Sequence, residues 1–201
     1  MEYDDEYITV RGISRAEIDI KKSRFIGLLT SVNTEQEAMD FVRNVRTEFS
    51  DATHHCYAFT IGLGAKKLFR SNDAGEPANS AGKPILSVIE SSELQDVICV
   101  VVRYFGGIKL GVGGLIRAYS QTARECLKNA ERVINIASTD LHVHIPNKYI
   151  GSVVNLVNRM KGKVLSVDHG EKTLVTVNLR NSMVSAFKEQ VKSISVDISV
   201  N

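Results

Sequence analysis

Between Gly106 and Gly114 five of nine residues are glycine. From Arg103 to Arg124 the chain carries four basic side chains, Arg103, Lys109, Arg117 and Arg124, and no acidic one. Glycine loses the most backbone freedom on folding, so this concentration calls for a reason. The residues on either side supply one. Asp96 to Phe105 is a β-branched run with little alternation, as in a central strand buried on both faces. Beyond the glycines, Leu115, Tyr119, Thr122, Cys126 and Ala130 recur at helical spacing. The glycines therefore join a strand to a helix N-terminus, where free N–H groups and a partial positive charge favour anions. Small residues there let a phosphate reach the backbone. Gly106, Gly107, Gly111, Gly113 and Gly114 form the candidate cradle. Arg103, Lys109, Arg117 and Arg124 are the candidate phosphate contacts, with Arg70 and Lys83 from the polar stretch upstream. Tyr104 and Phe105 offer a stacking surface for a base, with core packing at the strand end more expected of Phe105 than of Tyr104. The competing reading is a tight structural turn with solvated basic residues.

Other chemistries find less support. There is no G-x-x-x-x-G-K-[ST] loop, and Gly111-Val112-Gly113-Gly114 lacks the spacing of a dinucleotide fingerprint. His54 and His55 are adjacent, so on a strand they face opposite sides, and no second His/Cys cluster has ligand spacing; no metal site is expected. Cys56 as a nucleophile would need a base and an orienting group nearby. No G-x-S-x-G elbow occurs. Asp73 and Glu76 could serve acid–base chemistry, but carboxylates in a Gly/Pro/Asn loop more often cap turns. No cofactor is implied.

The elements that must position these residues follow from pattern. Short alternating pieces at Ile8–Val10 and Ile18–Ile20 lead into a strand over Ser23–Val32. Thr34-Glu35-Gln36-Glu37 is a capping box, and Ala38, Phe41, Val42, Val45 and Phe49 then predict a helix. A strand spans His55–Ile61. Arg70–Lys83 has no periodicity and is long for a connection, as functional loops are. Pro84 can open a helix reaching Ile89. From Ile136 the spacing predicts strand (Ile136–Ile145), helix (Asn147–Lys161), strand (Lys163–His169) and strand (Lys172–Leu179). A helix (Ser182–Lys192) and a strand (Ser193–Val200) complete the set. This β-α-β-β-α-β order is that of a ferredoxin-like domain. The fold class is therefore α+β, with an N-terminal domain over residues 1–134 and a C-terminal one over 136–201.

Composition sets the outer bounds. At 201 residues, 43% hydrophobic and 24% charged, the chain is an ordinary globular one. Its net charge of +2 forces no partner, although residues 136–201 carry eight basic against five acidic side chains. No signal peptide or bilayer-length apolar run is evident. Three cysteines, each alone in apolar surroundings, suit reduced buried thiols in a cytoplasmic protein.

Four motifs now take on a joint meaning: KKSRFIG (21–27), DATHHCYAF (51–59), NDAGEPANSAGKPIL (72–86) and RYFGGIKLGVGGLIRAYS (103–120). In this order they resemble the IMPACT/YigZ family, over about residues 15–130. The resemblance implies a left-handed β-α-β domain like domain IV of elongation factor G, followed by a ferredoxin-like domain like its domain V. It implies regulators of translational stress signalling among eukaryotic relatives, and RNA or ribosome binding for bacterial members, with no firm reaction. The family pattern D-D-G-E-P, then S-G-T-A-G-x-P, departs here at Ala74 and Asn79, which weakens a catalytic or metal role for a carboxylate pair. The expectation is a cytoplasmic RNA- or ribosome-binding protein that regulates translation, with a regulatory protein as a further partner and no membrane. Two alternatives stay open: an enzyme or small-molecule binder using the glycine loop as an anion site, and a protein-interaction module without chemistry.

Overall fold

The β-branched run after Asp96 becomes the middle strand of a five-stranded sheet. The structure, a computed structural model, describes residues 5–64, 67–170, 172–194 and 199–200. The chain divides into a unit of Ile8–Ile134 and a second unit built from Asn135 onward together with the residues before Ile8.

In the first unit β2 (Ser14–Ile20), β3 (Ser23–Ser31), β4 (His54–Ile61), β5 (Leu68–Asn72) and β6 (Val97–Tyr104) form a sheet in the order β2-β3-β6-β4-β5. β3 and β4 both run antiparallel to β6, so they are parallel to each other. Helix α1 (Glu35–Glu48) joins them, making a β-α-β unit split by β6. Because strand side chains alternate between faces, β6 contributes to two cores. Ile98, Val100 and Val102 pack with Ala38, Val42 and Val45 of α1. Val97, Cys99 and Val101 pack with Ile85 and Ile89 of α2 (Gly82–Glu90) and with Leu115, Tyr119 and Ala123 of α3 (Val112–Asn129). Helices cover both faces of β6, which is why its sequence shows no polar alternation.

The capping box forms with one change of partner. Thr34 Oγ1 accepts from the Glu37 N–H at 3.1 Å, while Glu37 Oε2 accepts from the Asn33 N–H at 2.8 Å rather than from Thr34. Helix α2 begins at Gly82, ahead of Pro84, which still lies in the first turn where its missing N–H is not needed. Strand β5 falls partly inside the stretch read as loop. Among the described residues it is an edge strand paired only to β4, and it is mostly exposed, so no hydrophobic alternation announces it.

In the second unit β8 (Ser138–Ile145), α4 (Ile150–Arg159), β9 (Lys163–Asp168), β10 (Thr173–Arg180), α5 (Asn181–Ile194) and β11 (Ser199–Val200) follow one another. The antiparallel sheet order β11-β8-β10-β9 is that of a ferredoxin-like fold. Val143, Val175 and Val177 meet Val153 and Val157 of α4 and Phe187 of α5. Two boundaries move. Ile136 ends a separate strand, β7 (Glu131–Ile136), which pairs with β1 (Glu6–Arg11) as a ribbon. Ser193 and Ile194, read as strand, continue α5, and Ile194 packs on the core. Val196 and Ile198 of that expected strand lie outside the described residues.

Asp5 holds the start of α5 across 177 residues of sequence: Ser182 donates to it both from its N–H, at 2.9 Å, and from its hydroxyl. A carboxylate there meets the free N–H groups and positive end of the helix.

Candidate nucleic-acid and anion interface

The strand-to-helix loop is positioned by a close backbone approach. Gly106 lies against the carbonyl of Lys22 in the β2–β3 turn, with no room for a Cβ. The Gly106 N–H donates to Ser23 Oγ at 3.2 Å and the Phe105 N–H to Thr53 Oγ1 at 3.1 Å. Gly111 is the N-cap of α3, at φ +70°, a left-handed conformation that glycine adopts without strain. Gly111 supplies no side-chain cap to α3, and among the described residues no side chain accepts from the amides of its first turn. Gly113 and Gly114 belong to that turn and have no positive φ. The conformational demand therefore falls on Gly111 rather than on Gly113.

The candidate cations fall into separate groups. Arg103 is 4% exposed. It donates from Nη1 to Glu76 Oε1 at 2.6 Å and from Nη2 to Ser23 Oγ at 3.3 Å. Its guanidinium lies between the Phe25 and Phe105 rings, 5.4 and 5.2 Å from their centroids. A buried arginine paired in this way holds the loop and is not free for phosphate. Lys109 is exposed and lines a pocket of about 420 Å³ together with Arg103, Glu76, His54 and Gly111. Arg117 is exposed one turn into α3, beside Gly113, and Arg124 follows two turns later, ~10 Å along the axis. Arg70 and Lys83 line a different hollow, of about 470 Å³, which shares no lining residue with the first. Arg70 is also paired to Glu35 at 2.6 Å.

The aromatic pair is reversed from expectation. Tyr104 follows Arg103 on the strand and so faces the α1 side, where it packs on the core, donates to Asp51 Oδ1 at 2.8 Å and lies under Arg24. Phe105, read as core, is 45% exposed and lines the pocket. The strand ends at Tyr104, and one residue past the last pairing the ring is free to swing outward.

Sequence reasoning left Lys21 and Lys22 out of the site, although they lie within a quoted motif. Both are exposed, at positive φ, in the turn that Gly106 touches. It also set Glu76 aside. That carboxylate is 4% exposed, and its Oε1 accepts from Tyr119 Oη at 2.8 Å as well as from Arg103. Asp73 plays the turn-capping part expected of it, accepting from the N–H groups of Asn79, Ala81 and Gly82 at 2.7–2.9 Å. Burial works to raise its pKa, but these amides and Lys83 together hold it below the usual carboxylate range. Asn79 sits at φ +61°, where the family pattern carries glycine.

Cys56, Cys99 and Cys126 are free and buried. Burial pushes the Cys56 thiol up to about 12, and its hydrogen goes to the Asp73 carbonyl at 2.9 Å. Among the described residues no group of three or more His, Cys, Asp or Glu could hold a metal ion.

The model of the Impact N-terminal domain matches residues 21–127. The chain belongs to the IMPACT family. It is 36% identical to the IMPACT family member YvyE of Bacillus subtilis, over 91% of this chain and 84% of that one. To the IMPACT family member YigZ of Escherichia coli it is 34% identical, over 88% and 87%. A crystal structure described as that of a hypothetical protein superposes with a TM-score of 0.75 at 30% identity, covering 98% of this chain and 96% of the other. All four motifs of this IMPACT family member lie in the unit that carries the loop.

Proposed function

We propose that this IMPACT family member binds RNA or the ribosome in the cytoplasm and takes part in regulating translation. The observation that carries the reading is the face around the β6–α3 loop. Lys21, Lys22, Lys109 and Arg117 are exposed there, next to the uncapped start of α3. Phe105, Ile108, Val112 and Ile116 are exposed among them, at 38–52%. Cations, helix-start amides and apolar surface in one place suit a single strand, which offers phosphates and base faces together. In this reading Lys109, Arg117, Arg124 and the Gly111–Gly114 backbone contact phosphate, with Lys21 and Lys22 added and Arg103 holding the loop. Arg70 and Lys83 form a second, separate contact. The role in translation follows from what the family resemblance implies. Among the described residues no helix is long and apolar enough to cross a membrane.

The test is association with single-stranded RNA and co-sedimentation with ribosomes at several salt concentrations. Five lysine and arginine contacts on this face give a slope of log affinity on log salt of about −3.5 on single strands. Absence of salt-dependent association with either partner removes the reading. Salt-insensitive capture of a protein would instead favour an interaction module.

A further inference from the structure

The pocket beside the glycine loop holds polar groups that neither packing nor phosphate contact uses. The Glu76 side chain is 4% exposed, and its Oε1 already accepts from both Arg103 and Tyr119. Its Oε2 accepts no hydrogen bond among the described residues, and His54 Nε2 lies 3.9 Å from it. His54 Nδ1 is 2.9 Å from the Ala74 carbonyl, which can only accept, so Nδ1 carries the proton. In the neutral ring Nε2 is then an acceptor too. Two acceptors 3.9 Å apart, both lining one pocket, call for a group with two hydrogens to give. A ligand that covers these acceptors without giving them a hydrogen pays for their lost solvent, so such a site discriminates for the donor. The same lining also offers the opposite chemistry: Lys109, and Gly111 and Val112 at the start of α3, which has no side-chain cap. That combination favours a phosphate. The half-exposed ring of Phe105 also lines the pocket and gives a flat apolar surface. A volume of about 420 Å³ is within the range of small-ligand sites.

We propose that this pocket binds a nucleotide whose base carries an exocyclic amino group, with the phosphate at Lys109 and the first turn of α3, the base on Phe105, and the amino group donating to Glu76 Oε2 and His54 Nε2. The nucleotide comes either free or as the 5′-phosphorylated end of an RNA strand; both present the same chemistry. No bond is made or broken.

Calorimetric titration of the intact protein tests this with AMP against purine riboside 5′-monophosphate, which differs by the amino group alone, and against adenosine, which lacks the phosphate. AMP is expected to bind at least tenfold more tightly than either. Lys109→Ala is expected to weaken AMP binding severalfold at unchanged melting temperature. Glu76→Gln is expected to reduce the preference for the amino group. Should that variant fail to fold, the wild-type comparison of AMP with purine riboside monophosphate decides alone. Equal affinity for those two, or binding of none of the three, overturns the proposal. A 5′-phosphorylated oligonucleotide beginning with A assigns the source: competition with AMP for one site points to an RNA end, and AMP binding without it points to a free nucleotide. The pocket and the RNA-binding face share Lys109 and the first turn of α3, and Glu76 tells them apart. Salt-dependent RNA association that Glu76→Gln leaves untouched keeps the face, and AMP binding without RNA association keeps the pocket.

Discussion

Arg103 and Glu76 form a buried ion pair, Nη1 to Oε1 at 2.6 Å with each side chain about 5% exposed, that ties the end of β6 to the Asp73–Gly82 loop. Removing one partner leaves a buried charge without compensation. Arg103→Ala is expected to cost about 3–5 kcal/mol, read as a drop in melting temperature. The double variant Arg103→Met, Glu76→Leu should recover much of that loss, because apolar replacement of both charges is often close to neutral. A single variant that melts like the wild type would show that the pair does not hold the loop.

The glycines of the loop should respond differently from one another. Gly106→Ala must push the loop off the Lys22 carbonyl and should destabilise strongly. Gly111→Ala meets no atom but is forced to φ +70°, ψ 165°, a conformation essentially reserved to glycine, at a cost of about 1–3 kcal/mol. Gly113→Ala lies in a helix with only Arg117 Nη1 near, at 3.6 Å, and should stabilise by about 0.5–1 kcal/mol. Thermal melts of the three variants check the order.

Arg117 is exposed, has no ion pair among the described residues, and is the cleanest probe of the proposed face. Arg117→Ala should leave the melting temperature unchanged and make the RNA salt slope shallower by about 0.7. Lys22→Ala should do the same if the β2–β3 turn belongs to the face. Arg103→Ala, by contrast, should act through stability.

The Cys56 thiol, held up near 12 by burial, is protonated at neutral pH and should resist alkylation in the folded protein. Rates should rise only in denaturant or at pH approaching 12. Rapid modification of Cys56 at pH 7 without unfolding would contradict this. Cys56→Ala should preserve RNA association.

Asp5 caps α5 from the far end of the chain. Asp5→Ala is expected to cost about 1 kcal/mol in the ferredoxin-like unit. A fragment of residues 136–201 lacks this contact as well. It should fold cooperatively on its own core, but melt lower than a fragment to which Asp5 is restored. Absence of a cooperative transition would count against independent folding.

Local pattern determined much of this protein. The capping box at Thr34 and the period behind it set α1. The unbroken β-branched run named β6 as central. The spacing of Leu115, Tyr119 and Cys126 set the buried face of α3, and the element order after Asn135 named the ferredoxin-like topology. Each depends on neighbours in sequence or on one periodicity, so each is legible without a fold. The tertiary structure decided what depends on partners far away in sequence. Arg103 looks free in sequence, but becomes structural because Glu76, 27 residues away, reaches it. Tyr104 and Phe105 exchanged their expected roles because the strand stops between them. Arg70 and Lys83 went to another hollow because β5 and α2 carry them there. Lys21, Lys22 and the Glu76–His54 acceptor pair joined the loop only through the packing of three segments against one another. Charge and glycine content can mark where an anion could bind; which side chains remain free to bind it is decided by the long-range pairs that folding makes.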